Sequence, residues 1–276
     1  MLTVESLRVA FPTRSGTVQA VRGVSLEVGR ERLGIVGESG SGKSTVGRAV
    51  LGLLPPATVT ADRLEFDGID LLRAGARTWR DLRGGRIAMI LQDPKFSLNP
   101  VMRVGSQIDE CVRDHLGLRG RAARRRVLDL LADVRIRDPE RVARAYPHEL
   151  SGGMGQRTMI AMMLAGEPDL LIADEPTSAL DVTVQLQVLA ILDDLVRHRG
   201  MGLIFISHDL ELVATFCDRV AILYAGRVVE LCRARELASA KHPYTRGLLG
   251  CLPRLDRPHE RLPVLRRDPA WAGPAT

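Results

Sequence analysis

Apolar and polar residues alternate from Leu2 to Ala10 and again from Val24 to Val28, the period of a half-buried strand. Leu33-Gly34-Ile35-Val36 is instead a short continuous apolar run, as in a strand covered on both faces. It leads into a glycine-rich loop and then a helix predicted from about Lys43 to Leu53, stopped by Pro55-Pro56. Leu64 to Phe66 and Ile87 to Leu91 add strands. From about Val104 to Ala145 the period becomes helical, with a basic face at Arg119 to Arg126 and apolar positions at Val127, Leu130, Leu131 and Val134. The pattern then alternates: strand at Leu170 to Ala173, helix at Val182 to His198, and strands at Leu203 to Ile206, Val220 to Tyr224 and Val228 to Leu231. This α/β alternation on both sides of a helical insert predicts a mostly parallel sheet with helices packed on it. From about Ser239 the marks Pro243, Tyr244, Gly247, Gly250, Pro253, Pro258 and Pro263 predict a short helix and then an irregular extension.

Composition narrows the class without naming a function. With 276 residues, 45% hydrophobic and 26% charged, the chain is neither disordered nor a disulfide-rich miniature, and is long enough to bury a substantial core. A net charge of +6 admits nucleic acid or an anionic membrane as partner, but an Arg-rich solvated surface is the favoured reading of it. No stretch approaches the roughly 18 to 20 apolar residues of a membrane span; the longest candidate is Met159 to Ala165. The start, MLTVESLRVAF, lacks the basic and then apolar regions of a secretory signal. Cys111, Cys217, Cys232 and Cys251 are scattered with no CxxC pair, which fits a reducing cytosol rather than zinc or disulfides. Lysine is scarce: Lys43, Lys95 and Lys241 stand against 36 arginines, so each lysine position is informative.

Lys43 lies in Gly37-Glu38-Ser39-Gly40-Ser41-Gly42-Lys43-Ser44-Thr45, which fits G-x-x-x-x-G-K-[ST] between an apolar strand and a helix. The glycines let backbone N–H groups close around phosphate oxygens, and the helix N-terminus adds positive potential. Lys43 would reach the β- and γ-phosphates and the Ser44 hydroxyl would hold Mg²⁺. A second element, Leu170-Leu171-Ile172-Ala173-Asp174-Glu175, ends an apolar strand in two carboxylates at the carboxyl edge of a sheet, where α/β ligands bind. Asp174 would hold Mg²⁺ through water and Glu175 would polarise an attacking water; an acidic cap on a helix starting at Pro176 is the competing structural reading. Leu150-Ser151-Gly152-Gly153-Met154-Gly155-Gln156 opens a helix that Ser151 can cap, leaving bare N-terminal amides as a second anion site. Two anion sites so far apart suggest two copies facing each other across shared nucleotide, although a plain capped helix is not rejected by the residues themselves.

These elements, with Ser178-Ala179-Leu180-Asp181 and the isolated His208 after an apolar strand, occur in the order that resembles the ATP-binding cassette ATPases over about residues 1 to 235. The resemblance implies an α/β P-loop NTPase fold with a RecA-like core, an N-terminal antiparallel β-subdomain, an inserted α-helical signature subdomain and a short C-terminal extension. The expected boundaries are 1–238 for the nucleotide-binding domain, with the helical part at about 93–165, and 239–276 for the extension. It implies ATP held by Gly37, Ser39, Gly40, Gly42, Lys43, Ser44 and Thr45 of one subunit, and by Ser151, Gly153 and Asp181 of the other. Mg²⁺ would take Ser44, Gln92 and Asp174. Gln92 resembles the Q-loop glutamine that also senses the membrane partner, Glu175 the catalytic base and His208 the switch histidine at the γ-phosphate. Phe11 is the expected adenine-stacking aromatic, with a core phenylalanine as the rival reading. His148, His198, His242 and His259 are read as structural.

Gln92-Asp93-Pro94-Lys95-Phe96-Ser97-Leu98-Asn99-Pro100, Ala165 to Thr177 and His242-Pro243-Tyr244-Thr245-Arg246 narrow the resemblance to importers of dipeptides, oligopeptides, nickel and metal–opine chelates. Such a subunit works beneath two permeases, beside a second ATPase (a sister chain rather than a copy of itself being favoured), and is served indirectly by an extracytoplasmic binding protein. It would be peripheral, on the cytoplasmic face of the plasma (inner) membrane, with no nucleic-acid partner. A nucleic-acid or ribosome-acting cassette ATPase is the alternative, disfavoured because long coiled-coil or zinc inserts and a second cassette are not present in the sequence. A catalytically weak partner subunit is also disfavoured, since every hydrolytic residue is present. Three departures stand out. Gly155 replaces the usual arginine just inside the signature helix, loosening its start by roughly 1 kcal/mol relative to alanine. The turn Gly29-Arg30-Glu31-Arg32 is one residue shorter than usual, which would shift Phe11. In the tail Cys251 replaces the cysteine cluster of some relatives, so no iron–sulfur cluster is expected.

Overall fold

The structure, a computed structural model, describes residues 1–92, 97–178 and 180–251, together with Leu265, Asp268 and Trp271. Asp93 to Phe96, which includes Lys95, lie outside the described residues, as do Ala179, His259 and most of the tail. In chain order the elements are β1 (Leu2–Thr13), β2 (Gly16–Val28), β3 (Arg32–Val36), α1 (Lys43–Val50), β4 (Thr58–Thr60), β5 (Arg63–Phe66), β6 (Ile69–Asp70) and α2 (Ala76–Leu82). Then come β7 (Ile87–Ile90), α3 (Val104–Leu116), α4 (Gly120–Asp133), α5 (Pro139–Arg144), α6 (Gly152–Met163), β8 (Leu170–Asp174) and α7 (Val182–Arg199). The chain closes with β9 (Gly202–Ser207), α8 (Leu210–Phe216), β10 (Arg219–Tyr224), β11 (Arg227–Arg233) and α9 (Pro243–Gly250). It divides into two units, one of Met1–Arg73 with Phe205–Thr276 and the other of Ala74–Ile204, the division falling inside β9.

The first unit opens with an antiparallel sheet in which β1 pairs with β2, β4 and β5. The Leu2-to-Ala10 alternation is broken once. Leu2 and Val4 are buried, and so are Leu7 and Val9, which have the opposite parity. The register shifts between Val4 and Leu7, and Ser6 sits there at φ 53°. That bulge resets the phase of the strand so that both halves present their apolar side chains inward. In the same unit β10 pairs antiparallel with β11 and parallel with β3. Arg32 at the start of β3 grips Asp218 through two guanidinium nitrogens at 2.9 and 3.2 Å. Gly34 lies under α8: a Cβ there would come within 2.2 Å of Val213 and 3.1 Å of the Cys217 sulfur. Burial pushes the Cys217 thiol up to about 12, outweighing the nearby Arg32, so it stays a protonated core side chain at neutral pH.

α9 is the short tail helix that the punctuation predicts. His242 Nδ1 accepts from the Tyr244 N–H at 3.2 Å as its cap, and Pro243 takes the first turn, where no N–H is needed. The Glu230 carboxylate on β11 accepts from the Lys241 and His242 N–H groups at 2.7 and 3.2 Å. Partial burial raises its affinity for a proton. Hydrogen bonds, led by that from the Lys241 N–H and including that from the His242 N–H, more than offset this and hold the carboxyl below its usual value of 4.5. A group depressed by folding stabilises above its unfolded pKa and loses that contribution as pH falls through the folded one. The start of α9 is therefore expected to loosen below about pH 4.5 in wild type, with the acid transition of Glu230→Gln flatter in that window; intrinsic fluorescence against pH measures this.

In the second unit β7 and β8 are parallel, Ile87 to Ile90 lying opposite Leu170 to Ala173, and both are almost wholly buried. The 104–145 helical stretch is three helices. α3 ends at Gly117 in the left-handed region, and α5 is capped by Asp138, whose carboxylate accepts from the Arg141 N–H. Gly105 lets α3 come close to α5, because a Cβ there would be 2.7 Å from the Ala143 carbonyl oxygen. Val127, Leu130 and Leu131 form the buried stripe of α4, as their spacing predicts. Two helices, α2 and α8, and two short strands, β4 and β6, were not marked by periodicity, each having seven residues or fewer. α1 stops at Val50, short of the predicted Leu53, with its last turn finishing at Gly52.

Candidate nucleotide site

The glycine loop is fixed from several sides within the first unit. A Cβ on Gly37 would lie 2.2 Å from the Leu223 carbonyl oxygen, and one on Gly42, at φ 98°, would lie 2.6 Å from that of Ala20. No L-residue fits either place without moving backbone. The Gly226 N–H, in the turn between β10 and β11, donates to the Ser41 carbonyl at 3.0 Å. Lys43 is buried, and its ammonium donates to the Gly37 and Glu38 carbonyls at 2.7 and 2.9 Å. Two of its three N–H bonds thus brace the loop at the position where phosphate oxygens are expected. Ser41 Oγ is buried in this loop with no hydrogen-bond partner. A buried hydroxyl and a backbone cradle in which Cβ atoms would clash suit a polyanionic ligand made of oxygens.

His208, at the end of β9, is exposed and shares a cavity of about 460 Å³ with Gly37, Glu38, Ser39, Leu210 and Leu248. The structure therefore brings His208 to the same opening as the loop, 165 residues away in sequence from Lys43. Phe11 is half-buried on β1 opposite Val18 and is absent from the buried core, so the core reading of this residue does not hold.

In the second unit Asp174 ends β8 buried, and Glu175 follows it at φ 48°. A left-handed backbone on a glutamate is strained by an order of 1 to 3 kcal/mol and persists where surrounding structure imposes it. No helix starts at Pro176, so the acidic-cap reading fails; Pro176 to Ser178 form a turn. Gln92 Nε2 donates to Glu175 Oε2 at 3.2 Å across 83 residues of chain, joining two residues singled out separately in the sequence. Ser151 caps α6 by accepting from the Met154 N–H at 3.4 Å. Asp181 caps α7 by accepting from the Val184 N–H at 3.0 Å, and Val184 packs where a Cβ on Gly153 would be, at 2.5 Å. Gly153 and Asp181 are thus linked through one valine. Gly155 is buried within α6, and its N–H donates to the Ser151 carbonyl at 2.8 Å, so the first turn is closed despite the glycine.

Ser41, Gly226 and the loop contact made by Tyr244, whose hydroxyl accepts from the Glu38 N–H at 3.3 Å, carry no signal in the sequence pattern. The His-Pro-Tyr segment drew attention as a motif, but its contact with the loop spans 206 residues and no local pattern marks it. His148 stacks on Tyr146, and His198 bonds the Asp194 carbonyl, both structural as expected.

A strand, a phosphate-type loop and a helix carrying an inward lysine, together with a buried strand ending in Asp-Glu, define a P-loop nucleoside triphosphatase. Residues 21–178 match the sequence model of the ABC transporter family, and this chain belongs to that family. It is 48% identical to the dipeptide transport ATP-binding protein DppD of Bacillus subtilis over 93% of this chain and 78% of that protein. Its identity to DppD of Escherichia coli is 47%, over 96% and 82% respectively. A dimeric post-hydrolysis structure of an ATP-binding cassette, bound to ADP and Pi, superposes with a TM-score of 0.76 at 26% identity, covering 85% of this chain and 99% of that one. The expected α/β cassette fold and the ATPase class stand. Among the described residues no helix is long and apolar enough to cross a membrane.

Proposed function

We propose that this chain is the ATP-hydrolysing subunit of an importer of dipeptides or oligopeptides. It would be peripheral to the cytoplasmic face of the membrane beneath two permease subunits, and paired with a second cassette ATPase, a sister chain rather than a copy of itself. An extracytoplasmic binding protein would deliver the solute. The observation that carries the nucleotide part is Lys43, an ammonium buried inside a loop of backbone amides at a helix N-terminus. Among the described residues no group of three or more His, Cys, Asp or Glu gathers to hold a metal ion. A hydroxyl, an amide and a single carboxylate, from Ser44, Gln92 and Asp174, suit Mg²⁺, which takes one or two carboxylates and completes its shell with phosphate and water. When bound, Mg²⁺ would offset charge on the phosphates.

The chain's own residues would act as follows. Gly37, Ser39, Gly40, Gly42, Ser44 and Thr45 bind the phosphates with Lys43, and Phe11 stacks on adenine. Ser151, Gly153 and Asp181 of the second subunit close over the same nucleotide. Glu175 takes a proton from the attacking water, and His208 contacts the γ-phosphate. Gln92 gives its amide N–H to Glu175 and so keeps its amide oxygen for the cation. The peptide reading draws on the named relatives and is tested by competition: uptake by the assembled transporter is expected to be blocked by di- and oligopeptides. Competition by nickel or metal chelates, with peptides inert, would overturn it.

A further inference from the structure

The His-Pro-Tyr segment has no role in the chemistry above, yet it reaches the phosphate loop. Tyr244 is fully buried in α9. Its ring lies 4.5 Å from that of Tyr224 and 6.0 Å from that of Trp271, and its hydroxyl accepts from the Glu38 N–H at 3.3 Å. The carbonyl of the same peptide unit, that of Gly37, accepts from the Lys43 ammonium at 2.7 Å. One peptide, Gly37–Glu38, is therefore held at both ends, by Lys43 on its oxygen and by Tyr244 on its nitrogen. A trans peptide is planar and rigid, so a restraint on the N–H also fixes the direction of the C=O. The chain of support runs further back. His242 Nδ1 caps the Tyr244 N–H, and Glu230 on β11 receives the Lys241 and His242 N–H groups. Leu248 of the same helix lines the cavity shared by His208 and the loop.

We propose that Tyr244 is a positioning residue for nucleotide binding: through the Gly37–Glu38 peptide it sets the carbonyl that aims the Lys43 ammonium, which makes α9 a built-in part of the phosphate site. The inference rests on the reading that this loop binds ATP. It requires that the tyrosine hydroxyl, and not merely its ring, matters to the loop. Tyr244→Phe keeps the ring packing on Tyr224 and Trp271 and removes the acceptor, so the Glu38 N–H is left without this partner. Loss of one neutral hydrogen bond at a part-buried amide corresponds to about a three- to tenfold change in affinity.

The test uses the full chain and a fluorescent ATP analogue, with Lys43→Ala measured in parallel and KM and kcat then determined in the assembled transporter. The expected result is three- to tenfold weaker binding and a matching rise in KM for Tyr244→Phe, with kcat within about twofold and an unchanged melting temperature. Faster amide exchange at Glu38 in the nucleotide-free protein accompanies it. His242→Ala, which removes the cap and leaves the hydroxyl, shifts affinity in the same direction by less. If Tyr244→Phe binds ATP as wild type does while Lys43→Ala does not, Tyr244 is a core tyrosine only and the inference falls. If Lys43→Ala also binds normally, the loop reading itself fails, and this inference with it.

Discussion

Replacing Glu175 by glutamine will leave ATP binding close to wild type and reduce turnover by about 10²- to 10⁴-fold, the range that a general base supplies. The substitution keeps size and hydrogen-bonding capacity and removes the ability to accept a proton from water. Its context makes the prediction specific. Glu175 follows the buried Asp174 at the end of a buried strand, on left-handed backbone, and accepts from Gln92 at 3.2 Å. A glutamine side chain can still accept that bond through its amide oxygen, so the Gln92 contact and the strand end should persist. Equilibrium ATP binding and steady-state phosphate release on the same preparation separate the two effects. Hydrolysis at the wild-type rate would remove Glu175 from the base role.

Lys43→Ala is expected to abolish measurable nucleotide binding, weakening it by about 100-fold or more, since a charge-assisted hydrogen bond contributes about 1.5 to 3 kcal/mol and the lysine can make more than one. The loss has two parts. The positive charge proposed to meet the phosphates goes, and so do the two bonds that hold the Gly37 and Glu38 carbonyls. Because the ammonium is buried, its removal also takes a donor from the Gly37 carbonyl, while the Glu38 carbonyl keeps the Ser41 N–H at 3.2 Å. Titration of ATP against the variant, with circular dichroism to verify the fold, checks the outcome; unaltered affinity would count against the phosphate-loop assignment.

These two residues also show how far sequence carries. Lys43 is legible because its chemistry is local: glycines, lysine and hydroxyl sit within nine residues, at a strand-to-helix junction that hydropathy marks. Glu175 was legible as a strand-end carboxylate, and the structure rejects the helix-cap alternative by continuing into a turn. Ser151 is legible as a cap, since capping is decided by the next three residues, and the structure adds Asp181 as the cap of α7. The first strand is one alternation in its sequence pattern and two in the fold, because a bulge at Ser6 inverts the phase and apolar period by itself does not say which face is inward. α8 was missed because its seven residues give too little period to register. Tertiary packing supplies its definition, through Gly34 beneath Val213 and Cys217.

The opening pattern thus determined the order of the longer strands and helices, though not α2, α8, β4 or β6, together with the helical insert and the loop that carries Lys43, all of which depend on neighbours within one or two turns of chain. Tertiary structure decided which distant residues meet: Gln92 with Glu175, His208 with Gly37 to Ser39, and Tyr244 with Glu38. Hydrophobic period and capping fix the path of the backbone within an element. A hydrogen bond across 83 or 206 residues depends instead on how elements pack, and on the glycines that let them approach.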